Sequence, residues 1–231
     1  MNKIKQLKNK NFTLYFEYSG NEKSLNSTDL KILFKELDYA VKSLDLENFD
    51  FPTNLNWHTW HTKILPLLSI RRELLELNSL PNIKSELQRV IRALNKFFKS
   101  VSEIELFVHL CGRGKITTLN KNYLGKNKST DVISFPVHDI NLKDIKDIPQ
   151  NFPLLSLGDI FICKEVAIKA AKENNVTLSE EFRILLIHGI LHLLGFDHDL
   201  SKMKGSMKEK KKRAALMFWM EALLFYKLSN Q

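Results

Sequence analysis

Apolar and polar residues alternate from Thr13 to Tyr18, which predicts a strand. Leu30, Leu33, Phe34, Leu37, Val41 and Leu44 then recur at helical spacing behind Ser27-Thr28-Asp29, a cluster of good N-cap residues. Phe51 to Asn54 reads as a loop, and Trp57 to His61 as a packed aromatic segment. Its His58 and His61 are one helical turn apart, but no third ligand follows nearby. Pro66 suits an early helix position, and the pattern behind it runs to about Asn78.

The second part of the chain is patterned more sharply. Ile83, Leu87, Val90, Ile91, Leu94 and Phe98 form one apolar stripe and predict a helix over 83–99. Alternation over 103–110 predicts a strand, with His109 on the side away from its apolar set. Ile116, Leu119 and Tyr123 predict a short helix closed by Gly125. Strands follow over 130–135 and 157–163, on either side of a polar loop at 138–156, and a helix covers 164–173. Thr177 and Glu180 are spaced as a capping box before a helix that Gly195 ends. This order makes an α/β (α+β) chain: a small sheet packed with helices. Residues 1–80 read as a mostly helical N-terminal extension and 81–231 as the main domain, with the boundary near Pro81-Asn82.

Composition sets limits on function. Hydrophobic residues make up 44% of the 231, enough for a packed core. The basic N-terminus, Met1 to Lys8, has no apolar stretch behind it, so no secretory signal is expected. No run reaches the roughly 18 apolar residues that span a bilayer. The nearest, Ala214 to Tyr226, contains Glu221 and reads as a core helix, so no membrane partner is expected. Cys111 and Cys163 form no Cys-x-x-Cys pair and no disulfide framework, which fits a reducing cytoplasm. The 35 Lys and Arg outnumber the 26 Asp and Glu, for a formal charge of +9. That charge suits a phosphate-rich partner, and equally a merely solvated surface.

The chemistry lies in His188-Gly-Ile-Leu-His192-Leu-Leu-Gly195-Phe-Asp-His198. His188 and His192 are four apart, so both imidazoles leave one face of the predicted helix. Gly195 permits a left-handed reversal that brings His198 back as a third ligand. Three protein ligands leave one tetrahedral position for water, the pattern of catalytic rather than structural zinc. A single zinc ion is therefore expected, with other divalent transition metals as alternatives. Proteases of the His-Glu-x-x-His type carry a general base after the first His, and this chain has Gly189 there. Asp197 either orients a ligand imidazole from behind or is a turn residue.

This segment resembles the signature of the YbeY family, bacterial rRNA maturation factors described as metal-dependent endoribonucleases. Leu119-Asn-x-x-Tyr123-x-Gly125-x-x-Lys128-x-Thr130-Asp131-Val-Ile-Ser134-Phe135-Pro136 matches a second family motif, and Leu157-Gly158-Asp159-Ile160 a third. The three occur in family order and cover roughly residues 85–200. The resemblance implies a small mixed sheet with helices packed on it, and His188, His192 and His198 as metal ligands. It implies single-strand-specific cleavage of ribosomal RNA, maturation of the small-subunit RNA 3′ end, and ribosome quality control. Its implied partners are the small ribosomal subunit and a ribosome-associated GTPase.

Three departures stand out. Leu124 occupies a position where the family usually has Arg, so Arg113, Lys126 and Lys128 become the candidate RNA-binding cations. The N-terminal part is longer than usual. The C-terminal helix is only loosely like the family's more acidic ending. Two other functions compete: a ribosome-biogenesis binding factor with a mainly structural metal, and a metal-dependent peptidase or amidase.

Overall fold

The protein was studied as a computed structural model, which describes residues 2–9, 12–19, 28, 31–32, 35–38, 83–138, 153–201 and 203–229. The expected segments at 57–61 and 66–78, the boundary at 81–82 and most of the 138–156 loop lie outside them.

Five strands form one mixed sheet: β1 (Asn2–Asn9), β2 (Phe12–Ser19), β3 (Ile104–Cys111), β4 (Val132–Pro136) and β5 (Leu155–Cys163), in the order β1-β2-β3-β5-β4. The β2-β3 and β3-β5 pairs are parallel; β1-β2 and β4-β5 are antiparallel. The helices with both ends described are α1 (Ile83–Lys99), α2 (Arg113–Leu124), α3 (Lys164–Glu173), α4 (Leu178–Leu193) and α5 (Met207–Ser229), and residues 28, 31–32 and 35–38 are helical as well. The mixed α/β architecture with a small sheet is the one expected. β1 and β2 lie before residue 80 yet are hydrogen bonded into the sheet of the later residues, so the sheet crosses the expected boundary.

Side-chain alternation divides the two faces of the sheet. Ile104, Leu106, Val108 and Leu110 of β3 point into the main core, with Leu157, Ile160 and Ile162 nearby. That core also takes the apolar stripe of α1, the buried side of α4, and α5, which is buried at every position from Ala214 to Phe225. The other face carries Tyr15 stacked on Phe107 and His109 stacked on Phe161. α2 packs there through Ile116, beside Cys111, Cys163 and Ile133. His109, expected as a strand-surface residue, is half-buried between two carboxylates, with its ring nitrogens 2.6 Å from Glu17 and from Asp159. The α4 layer and the α2 layer therefore lie on opposite faces of the sheet.

Two glycines set close approaches at the edge of the sheet. Gly158 has φ +128°, and a Cβ on it would meet the Phe135 carbonyl oxygen at 2.1 Å. Only glycine lets β5 pass β4 at that point. Gly189 packs against Ile160, whose side-chain atoms would lie 2.8–3.1 Å from an added Cβ. α4 thus sits directly on β5, which holds the histidine-bearing helix in place.

Candidate metal centre

α4 opens with the expected capping box. Thr177 Oγ1 accepts the Glu180 backbone N–H, and the Glu180 carboxylate accepts the Thr177 N–H at 2.8 Å. The helix ends at Leu194, and Gly195 takes the left-handed conformation at φ +81°. The Gly195 N–H donates to the His192 carbonyl and the Phe196 N–H to the Leu191 carbonyl, both at 3.0 Å. This is a Schellman closure, which satisfies the last carbonyls while turning the chain back. Asp197 then shapes the return loop: its Oδ1 accepts the His198 N–H at 2.7 Å and the Asp199 N–H at 2.9 Å. Of the two roles open to Asp197, the structure shows the turn.

The reversal brings the three imidazoles together. Ring centroids are 4.6 Å apart for His188 and His192, and 5.2 Å for each of them from His198. One nitrogen from each ring lies within 4.8 Å of the others, a grouping that can hold a metal ion. The outer nitrogens of the first two rings are engaged. His192 Nδ1–H donates to the Phe196 carbonyl at 3.0 Å, and His188 Nδ1–H donates to Glu221 Oε1 of α5 at 3.2 Å. Those bonds assign the Nδ1–H tautomer to both rings and leave both Nε2 atoms as lone-pair acceptors. These acceptors face each other at 3.1 Å. In the neutral rings neither has a proton to offer the other, whereas a cation between them satisfies both. Two nitrogens at roughly 2.0–2.1 Å from one tetrahedral ion would stand about 3.3 Å apart, so the residues fit a metal ion.

Glu221 is the site residue that sequence reasoning missed. It is almost fully buried in an apolar helix, 33 positions after His188. The signal was present, because a single carboxylate inside Ala214 to Phe225 needs a buried partner. Nothing in the spacing identified that partner.

The candidate RNA-binding cations belong to another element. Arg113 opens α2, and Lys126 and Lys128 sit in the loop after it; all three are exposed. No hydrogen bond or ion pair among the described residues joins them to the histidines. Leu124, partly exposed, ends α2, and Tyr123 beside it is 67% exposed and edge-on to Phe135. The motif around them has a scaffolding role. Gly125 is left-handed at φ +69°, Asn120 Nδ2 donates to the Lys128 carbonyl at 2.7 Å, and Asp131 accepts the Val132 N–H at 2.8 Å.

Two further titratable groups are perturbed near the site's framework. Glu181, one of the acids in the first turn of α4, is buried, and its carboxyl is pushed up to about 7. Burial is the main cause and the charge of Asp131 adds to it, while a hydrogen bond from Asn174 opposes both. Cys163, in register with Cys111 on the neighbouring strand, is raised to about 11 chiefly by burial. It therefore remains a thiol at neutral pH.

Comparison with known proteins places these features in a family. A family model described as Endoribonuclease YbeY matches residues 70–218. The chain is 45% identical over 98 residues to "Endoribonuclease YBEY, chloroplastic" of Arabidopsis thaliana, covering 42% of this chain and 15% of that protein. It is 42% identical over 97 residues to the endoribonuclease YbeY of Prochlorococcus marinus (strain NATL2A), covering 42% of this chain and 50% of the relative. With the endoribonuclease YbeY of Persephonella marina it shares 33% identity over 143 residues, 62% of this chain and 79% of the relative. The match thus spans half or less of the first two relatives and about four fifths of the third.

Proposed function

The chain belongs to the endoribonuclease YbeY family, and on that premise we propose that it is a metal-dependent, single-strand-specific endoribonuclease. Its substrate in this reading is ribosomal RNA, cut in small-subunit 3′-end maturation and in ribosome quality control. The small ribosomal subunit and a ribosome-associated GTPase are its partners, and the cytoplasm its compartment. No helix among the described residues is long and apolar enough to cross a membrane. Residues 81–231 form the hydrolase domain and 1–80 a lineage-specific addition that lends it two strands.

The observation that carries the reading is the facing pair of lone-pair nitrogens at 3.1 Å, with His198 beside them. His188, His192 and His198 hold one ion, zinc in our assignment. When bound, the ion supplies Lewis-acid charge and lowers the pKa of water. The chain's own groups keep the ligands aimed. The Phe196 carbonyl and the Glu221 carboxylate fix two tautomers, and Gly195 with Asp197 fixes the return of His198. Arg113, Lys126 and Lys128 contact RNA phosphates. Leu124 cannot offset charge on a phosphate, so the cationic help that the family usually draws from that position must come from other groups.

A metal-dependent peptidase is disfavoured by Gly189, which packs against Ile160 and leaves no room for a general base after His188. The second reading is a biogenesis factor with a structural metal, and Leu124 favours it. The test is incubation of a single-stranded ribosomal RNA fragment with the purified protein, with and without chelator. Internal cuts that the chelator abolishes support the nuclease. Tight RNA binding without cuts supports the biogenesis factor.

A further inference from the structure

The most basic stretch of the chain begins six residues after His198: Lys204, Lys208, Lys210, Lys211, Lys212 and Arg213 fall within ten positions. Lys204, Lys208 and Lys211 are exposed, and Lys210 is half-exposed. The other cations here are committed to structure. Lys212 Nζ lies 2.8 Å from Glu86 of α1, and Arg213 donates to the Lys204 carbonyl. The one acid of the stretch, Glu209, caps its own helix by accepting the Ser206 N–H at 2.9 Å and the Ser206 hydroxyl at 3.0 Å. No hydrogen bond or ion pair among the described residues engages the Lys204, Lys208, Lys210 or Lys211 ammonium groups.

Helix geometry ties this surface to the metal centre. Glu221 of α5 touches His188. Lys210 stands 11 residues earlier, three turns along the helix and within about 20° of the same face. At about 1.5 Å per residue the separation is about 17 Å along the axis. Met207, Lys210 and Ala214 continue the stripe that ends at Glu221. Lys210 thus lies on the site's side of α5, with Lys211 and Lys208 turned about 80° and 140° from that face around the helix, whereas Arg113, Lys126 and Lys128 belong to α2 and the loop after it.

We infer that Lys204, Lys208, Lys210 and Lys211 form a phosphate-binding track around the first turns of α5 that holds single-stranded RNA beside the three-histidine site. This rests on the RNA reading above and gives it a second point of contact. Charge complementarity selects a polyanion. An anionic membrane surface suits the lysines less well, because α5 is buried from Ala214 to Phe225 and Met207 is the single exposed apolar residue of its first two turns.

The experiment measures binding of a fluorescent single-stranded RNA by anisotropy at stepped salt. It compares wild type, the triple variant Lys208→Gln/Lys210→Gln/Lys211→Gln, and the control Arg113→Gln/Lys126→Gln/Lys128→Gln. Circular dichroism and metal content confirm that each variant is folded, and the single variant Lys208→Glu stands in if the triple one is not. The α5 variant is expected to bind about tenfold or more weakly at moderate salt, with a log K against log salt slope smaller by about 2, as loss of three phosphate contacts predicts. Unchanged affinity and slope, in a wild type that binds RNA, would overturn the track and leave the nuclease reading standing. A wild type that ignores RNA at low salt would overturn both. Lysine-dependent binding to phosphatidylserine vesicles without RNA binding would assign the surface to membrane instead.

Discussion

His188 of α4 and Glu221 of α5 meet through a 3.2 Å hydrogen bond between imidazole Nδ1 and carboxylate Oε1, and both side chains are largely shielded from solvent. One bond thus joins the helix that carries two candidate ligands to the C-terminal helix. It also fixes which nitrogen of His188 faces the other rings. Glu221→Gln keeps an acceptor in place and should hold metal nearly as well as wild type. Glu221→Ala frees the ring and should weaken metal affinity by roughly 10–100-fold. Competition with a chromophoric chelator measures both. Equal affinity for all three proteins would remove Glu221 from the site.

Gly189 meets Ile160 so closely that position 189 belongs to the packing of α4 on β5. Restoring the protease motif with Gly189→Glu should therefore yield no peptidase. Gly189→Ala alone should cost about 1–3 kcal/mol through overpacking against the buried Ile160 side chain. Urea unfolding measures it. A neutral Gly189→Ala would mean that α4 can lift off the sheet.

Glu181 predicts a pH dependence of stability. Its carboxyl is raised from 4.5 to about 7 in the folded protein. Between those values the folded state binds the proton more firmly than the unfolded state does. Its contribution is therefore most favourable at low pH and declines as pH rises through about 7. Glu181→Gln should match wild type near pH 4 and exceed it at pH 8, by on the order of 1–3 kcal/mol. Unfolding midpoints at the two pH values decide this. An advantage that does not grow with pH would show that Glu181 is ionised in the fold.

Glu36, only 6% exposed, reaches α4 from the N-terminal part of the chain. It accepts from the Arg183 guanidinium at 2.9 Å and from the Ser179 hydroxyl. Glu36→Ala leaves the half-buried Arg183 without this carboxylate and should cost about 2 kcal/mol. Glu36→Leu/Arg183→Leu should recover much of that loss. Thermal unfolding tests both. An unchanged midpoint in Glu36→Ala would mean that the contact does not stabilise α4.

Local physics explains which parts of the architecture were legible. The helix at 83–99 follows from its apolar stripe, and the Thr177-Glu180 capping box and the Gly195 reversal are written in residues a few positions apart. β1 gave little signal. It is an edge strand rich in Lys and Asn, with Leu7 buried and Ile4 left 69% exposed, so no face of it is consistently apolar. The β2-β3 pairing joins Phe12 to Ile104 across a long stretch of chain, and such contacts leave no local pattern. The three histidines were readable because two share a helix face and a glycine returns the third. The Glu221 contact depends on how α5 packs on α4, which spacing does not encode.

The central claim is that one metal ion on His188, His192 and His198 drives RNA cleavage. Its most direct test is to strip the protein of metal and titrate zinc back while following cleavage of a single-stranded ribosomal RNA fragment. The account predicts no cleavage by the stripped protein, recovery that saturates at one ion per chain, and none in His192→Ala. Cleavage that persists without metal, or a His192→Ala variant that recovers in full, would contradict it.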